Sequence, residues 1–148
     1  MARLSVVPAG PAPLALSSVP LHFCAACLIG ALLTDIVYWQ TAEMTWANFS
    51  VWLLTAGVLV GIVAAVTVVI DVVRNVIDLG LSVSWIYLAC LTIAFILSLL
   101  NVFIHSRDAW TSVVPSGLAL SAFTAAAIAV AALCGAIAKH RRSEDWFT

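Results

Sequence analysis

Four long apolar stretches, roughly residues 20–40, 46–73, 82–106 and 115–138, are separated by three short polar breaks. A helix of about 20 apolar residues crosses the ~30 Å hydrocarbon core of a bilayer, and each stretch is long enough to do so. A soluble fold of 148 residues has no interior for a chain with a mean hydropathy of +1.16 and only 9% charged residues. Backbone polar groups in lipid must find partners within their own segment, so the stretches are helices. Ala, Leu, Val and Ile run without period-two alternation, which disfavours barrel strands. The fold class is therefore an all-α membrane protein, a four-transmembrane-helix antiparallel bundle, because short connections force sequential helices to lie antiparallel.

The breaks fall at 41–45, 74–81 and 107–114, and Pro115 is expected to open the fourth span. Residues 1–19, with Pro8, Pro11 and Pro13, read as an irregular arm and lack the basic-then-apolar pattern of a cleaved signal peptide. Residues 139–148 read as a basic tail. One domain, 20–138, takes up the rest, so any site is expected inside the bundle or at its rims. Four spans put both termini and the 74–81 break on one side. That side carries Arg3, Arg74, Lys139, Arg141 and Arg142, against Arg107 alone on the other. By the positive-inside rule both termini are expected in the cytoplasm. Trp39, Trp46 and Trp110 at the outer rim, and Trp85 and Trp146 near the inner one, fit the interfacial preference of tryptophan.

Polar residues inside the spans stand out. Asp35 shares a helical stripe with Ala31, Leu28 and Cys24, whose small members point it into the bundle. A mid-membrane carboxylate costs on the order of 2.5–3.5 kcal/mol on insertion scales, so it needs partners. Asn101 and His105, i,i+4 neighbours on the third span, lie at the same outer depth, with Arg107 at the rim. These four are read as one outer cluster, either a hydrogen-bond network that fixes helix register or a site for a proton or ligand. At the inner rim, Asp71 and Arg74 have the i,i+3 spacing of a rim salt bridge, worth ~0–1 kcal/mol if exposed. Gly57 and Gly61, Ala26 and Gly30, and Ala131 and Gly135 form small-xxx-small pairs. Such pairs let helices approach closely, within one bundle or on a face for a homo-oligomer or another membrane subunit.

Several chemistries find no support. A net charge of −1 lacks the basic stripe that nucleic acid requires. Cys24, Cys27, Cys90 and Cys134 all lie in apolar spans, where Cys packs as a small apolar residue. His22 and Cys24 point to opposite faces, roughly 200° apart on a helix, and no metal set is expected. A b-type haem needs ligands at matching depth. His22 and His105 occupy opposite rims, and His140 sits in a solvated Lys-His-Arg-Arg run. No cofactor is expected from this chain alone, and no nucleophile–base arrangement marks an enzyme.

Two segments carry a family likeness: Leu32–Leu54, containing Thr-Asp-Ile-Val-Tyr-Trp-Gln, and Asn101–Ser121, containing Asn-Val-Phe-Ile-His-Ser-Arg-Asp-Ala-Trp. Over about residues 19–138 the chain resembles a bacterial membrane family known as domain of unknown function 2231. His22-Phe23 resembles that family's His-Phe-Pro start of the first helix, with Cys24 in place of proline. Asp35, Gly57, Asp71, Asn101, Arg107 and Gly117 fit its pattern. Its Gly-Trp-Leu-Gly reads Leu-Cys-Gly-Ala at 133–136, and Trp85-Ile86-Tyr87 stands where a histidine is expected. The resemblance implies a four-helix inner-membrane protein whose relatives keep company with cytochromes, quinoprotein dehydrogenases and Rieske domains. The expected function is a non-catalytic accessory or scaffolding subunit of a membrane redox assembly, respiratory or photosynthetic. The alternative is a haem, quinone or proton site built on the outer cluster.

Overall fold

The computed structural model describes residues 14–106 and 113–144, with side chains as far as Arg141. Arg3, Arg107, Trp110 and Trp146, and the side chain of Arg142, lie outside the described residues. Among the described residues, four helices are long and apolar enough to cross a membrane. They are α1 (Ser18–Thr41), α2 (Met44–Val73), α3 (Ser82–His105) and α4 (Leu118–Glu144). At 1.5 Å per residue, α2 is about 45 Å long, more than the ~30 Å hydrocarbon core needs.

Each helix end has a local cause. Pro20 sits in the first turn of α1, where backbone N–H groups lack intrahelical partners anyway. α1 stops at Ala42, a left-handed residue (φ 55°) whose N–H donates to the Tyr38 carbonyl. Glu43 is extended, and α2 begins at once, so the link is shorter than the 41–45 break expected from sequence. α2 closes with the left-handed Asn75 (φ 55°). The Asn75 N–H donates to the Val72 carbonyl at 3.0 Å and the Val76 N–H to the Asp71 carbonyl at 2.8 Å. That pairing terminates helices at glycine or asparagine.

The last helix departs most from expectation. Pro115 does not open it; Val113–Gly117 forms an irregular turn and α4 starts at Leu118. Val114 is extended (φ −121°, ψ 129°), because a residue preceding proline is disfavoured in the α region. At its other end α4 continues to Glu144, so Lys139–Arg141 of the basic tail belong to helical turns. Long basic side chains keep their charge in water while their stems follow the helix.

Packing is uneven. α1 lies along α2, and α3 along α4, while the two hairpins touch each other less extensively. Glycines set the close approaches. A Cβ on Gly57 would meet Leu28 Cδ2 at 2.9 Å and Cys27 Cβ at 3.3 Å, and one on Gly61 would meet Phe95 at 3.1 Å. Gly30 faces Leu53 and Gly135 faces Tyr87. The four glycines of the small-residue pairs thus face neighbouring helices of this bundle, whereas Ala26 is exposed on α1. Large apolar side chains on all four helices, among them Trp52, Leu59, Phe103 and Phe123, point outward into the lipid.

Two clusters fill the half distant from the termini. Tyr38, Ala47 and Val113, with Trp46 and Val114, cap the end. Deeper lie Leu28, Ala31 and Leu54, with Cys24, Leu53, Val102 and Ile128. Toward the termini, at the end carrying Arg74, Lys139 and Arg141, the hairpins enclose an apolar crevice of about 810 Å³.

Candidate functional site: a sealed polar layer

Between the two apolar clusters lies a polar layer to which every helix contributes. Asp35 comes from α1, one turn before Tyr38; Ser50 from α2, one turn after Ala47. Asn101 and His105 come from α3, and Ser121 from α4. All five are buried, and Asp35, Ser50 and Asn101 are completely so.

The carboxylate is the hub. Ser50 Oγ donates to Asp35 Oδ1 at 2.5 Å and Ser121 Oγ to Asp35 Oδ2 at 2.5 Å. His105 Nε2 lies 3.0 Å from Oδ1. Asn101 Nδ2 donates to Ser121 Oγ at 2.8 Å, which turns the serine hydroxyl toward the acid. His105 Nδ1 faces the Asn101 carbonyl at 3.1 Å. Both ring nitrogens thus face oxygens. Both bonds form when the imidazole carries two protons against a carboxylate, or when a protonated Asp35 donates to Nε2. Either arrangement holds one proton more than a neutral ring beside a carboxylate.

This is not the geometry of nucleophilic catalysis. A serine–histidine–acid triad uses opposite ring nitrogens for acid and nucleophile. Here Asp35 Oδ1 and Ser50 Oγ, 3.0 and 3.4 Å away, crowd one nitrogen, and the other is engaged by a backbone carbonyl. Ser50 donates directly to the acid. Two buried side-chain atoms, Asn101 Oδ1 and Thr124 Oγ1, have no partner among the described residues.

Of the outer residues named from sequence, Asp35, Asn101 and His105 come together, and Arg107 lies outside the described residues. Ser50 and Ser121 were not anticipated. Their signal lies in the small-residue stripes: Ser50 extends the Gly57–Gly61 face outward, and Ser121 and Thr124 extend the Ala131–Gly135 face.

A family model of predicted membrane proteins, domain of unknown function 2231, matches residues 16–142. The chain belongs to that family. The match runs over all four helices of this DUF2231 chain and over every member of its polar layer. Comparison with curated proteins and with solved structures gives no match.

The opposite end of the DUF2231 bundle shows more than a rim pair. Asp71 and Arg74 do approach, at 3.7 Å, but Asp71 is fully buried and not an exposed rim residue. Its carboxylate accepts the Ser17 N–H at 2.8 Å and the Leu16 N–H at 3.1 Å. Ser17 makes no side-chain cap of its own at the start of α1. Asp71 supplies the cap from another helix, where an anion also meets the positive end of the helix dipole. His22 bonds within α1 instead, its Nδ1 2.6 Å from the Ser18 carbonyl, and it stands at the opposite end from His105. Among the described residues no three His, Cys, Asp or Glu side chains gather as a metal-ligand set. The Cys24 thiol donates to the Gly57 carbonyl at 3.2 Å.

Proposed function

We propose that this chain is a non-catalytic subunit of a larger assembly in a bacterial inner membrane, with both termini in the cytoplasm. The observation that carries the reading is the set of side-chain bonds that ties all four helices together in the polar layer. The hydroxyls of Ser50 and Ser121 and both ring nitrogens of His105 are engaged within the layer. Apolar clusters lie above and below it. Such a layer fixes the relative depth of four helices, since sliding any one of them would strand a buried carboxylate or hydroxyl in hydrocarbon. It makes a rigid apolar scaffold that presents side chains such as Trp52, Phe103 and Phe123 to its surroundings. The redox setting rests on the company kept by the family the chain resembles. The deciding experiment is affinity purification from native membranes in mild detergent, with an absorption spectrum of the product. Haem- or quinone-bearing proteins are expected to co-purify in a fixed ratio. A chain that runs alone, with no partner captured by cross-linking, overturns the proposal.

A second reading is favoured by the ring geometry of His105: the layer is an ion site that takes up and releases a proton. It predicts that Asp35→Asn abolishes a pH-dependent change in the His105 ring resonances. Resonances with the same pH response in both proteins would remove it.

A further inference from the structure

The crevice between the hairpins is not used by either reading. It is formed by all four helices, with Leu21, Ala65, Val72, Leu91, Phe95 and Ala132 among its walls, and its volume is about 810 Å³. That is within the ~300–1,000 Å³ of sites that hold small molecules. Water cannot fill it stably, because each buried water needs about three polar partners. Most of the polar groups on its walls are already engaged. Thr92 Oγ1 donates to the Leu88 carbonyl at 2.9 Å and Trp85 Nε1 to the Leu79 carbonyl at 3.1 Å. Cys24 and the Nδ1 of His22 are engaged with Gly57 and Ser18. Among the described residues, the Tyr87 hydroxyl and the second ring nitrogen of His22 are the exceptions. The occupant must therefore be hydrocarbon over most of its length.

The mouth supplies the second half of the match. Val73 lines the crevice and Arg74 follows it; Gly135 lines it and Lys139 stands one helical turn further along the same face. Lys139 and Arg141 are exposed, and the Arg74 side chain remains 42% exposed beside Asp71. Of the acids at this end whose side chains are described, Asp71 is buried and engaged, and Asp78 accepts the Gly80 N–H. An apolar slot below a cluster of cations is the pattern that holds a lipid chain with its anionic headgroup at the rim.

We propose that this crevice is a binding site for an anionic phospholipid, with acyl chain between the hairpins and phosphate beside Lys139 and Arg74. The site is independent of whether the chain serves a redox assembly.

The test uses the full chain in nanodiscs of equal parts phosphatidylglycerol and phosphatidylcholine. Protein is then extracted into mild detergent, and retained lipid is weighed by native mass spectrometry. Phosphatidylglycerol is expected to be retained in preference. Lys139→Gln should lower that preference about five-fold, the effect of one cation at a membrane surface. Ala65→Phe with Ala132→Phe should remove retained lipid, while Phe123→Ala on the lipid-facing surface should not. A photoactivatable phosphatidylglycerol in the unaltered protein guards against misfolded variants: its adducts should map to α2, α3 and α4 peptides bearing Ala65, Leu91 and Ala132. Retention in the bulk ratio, adducts confined to outward-facing positions, or a native quinone displaced by Ala65→Phe would each overturn the proposal.

Discussion

Three side chains converge on Asp35, and removing the acid would take from each its shortest hydrogen bond in the layer. Asp35→Ala strands the hydroxyls of Ser50 and Ser121 and a histidine that holds a charge-capable ring. Breaking a buried pair by deleting one partner typically costs about 3–5 kcal/mol. Asp35→Asn keeps the shape and one acceptor and should lose about 1–3 kcal/mol. Unfolding in detergent, followed by circular dichroism, should rank the two variants in that order; equal stability of all three proteins would contradict the network as drawn. Asp71 makes a separate prediction, because its partners are backbone amides. Asp71→Ala should leave the Leu16 and Ser17 N–H groups without their acceptor and raise their hydrogen exchange. The cost should be about 1.5–3 kcal/mol for bonds to a charged group. Protection unchanged at those two amides would show that the cap does not form in solution.

At the scale of elements, the α1–α2 link and the α1–α2 contact give opposite predictions for glycine. Ala42 adopts a left-handed conformation at φ 55°, which is unfavourable by about 1–2 kcal/mol for a residue with a Cβ. Ala42→Gly should therefore raise stability by about 1 kcal/mol, read as a higher melting temperature in the same detergent. Gly57 sits where an added Cβ would come within 2.9 Å of the buried Leu28. Gly57→Ala forces the hairpin apart or Leu28 out of its rotamer, a loss of about 1–3 kcal/mol. The same melting series tests both, and a Gly57→Ala protein as stable as its parent would mean that the two helices are further apart than described.

For the whole molecule, the architecture was readable because hydrocarbon leaves a chain of this composition almost no alternative to helices. The positions of Asp35, Asn101 and His105 were readable for the same reason: polar side chains in apolar spans are conspicuous and need one another. Ser50 and Ser121 were not, because serine is also an ordinary small packing residue in membrane helices. The burial of Asp71 was hidden more deeply. Arg74 three residues on suggests a local surface pair, whereas the principal partners are main-chain amides more than fifty positions earlier, and amides carry no sequence signature. The start of α4 was misplaced because Pro115 restricts the residue before it as well as itself. The crevice depends on how two hairpins meet, which no periodicity encodes.

Asp71 has one more consequence, and it concerns the order of events at the ribosome. Its carbonyl ends α2 while its carboxylate receives the start of α1. The first hairpin is thereby fastened at both ends, by the Ala42–Glu43 link and by Asp71, using nothing made after Ile77. Half of the protein can reach its final form while α3 and α4 are still being synthesised, as N-terminal units commonly do. Asp35 then enters the bilayer already bonded to Ser50. What the second hairpin adds is the histidine, the amide and the other serine, so its docking should be guided by a half-satisfied carboxylate awaiting its remaining donors.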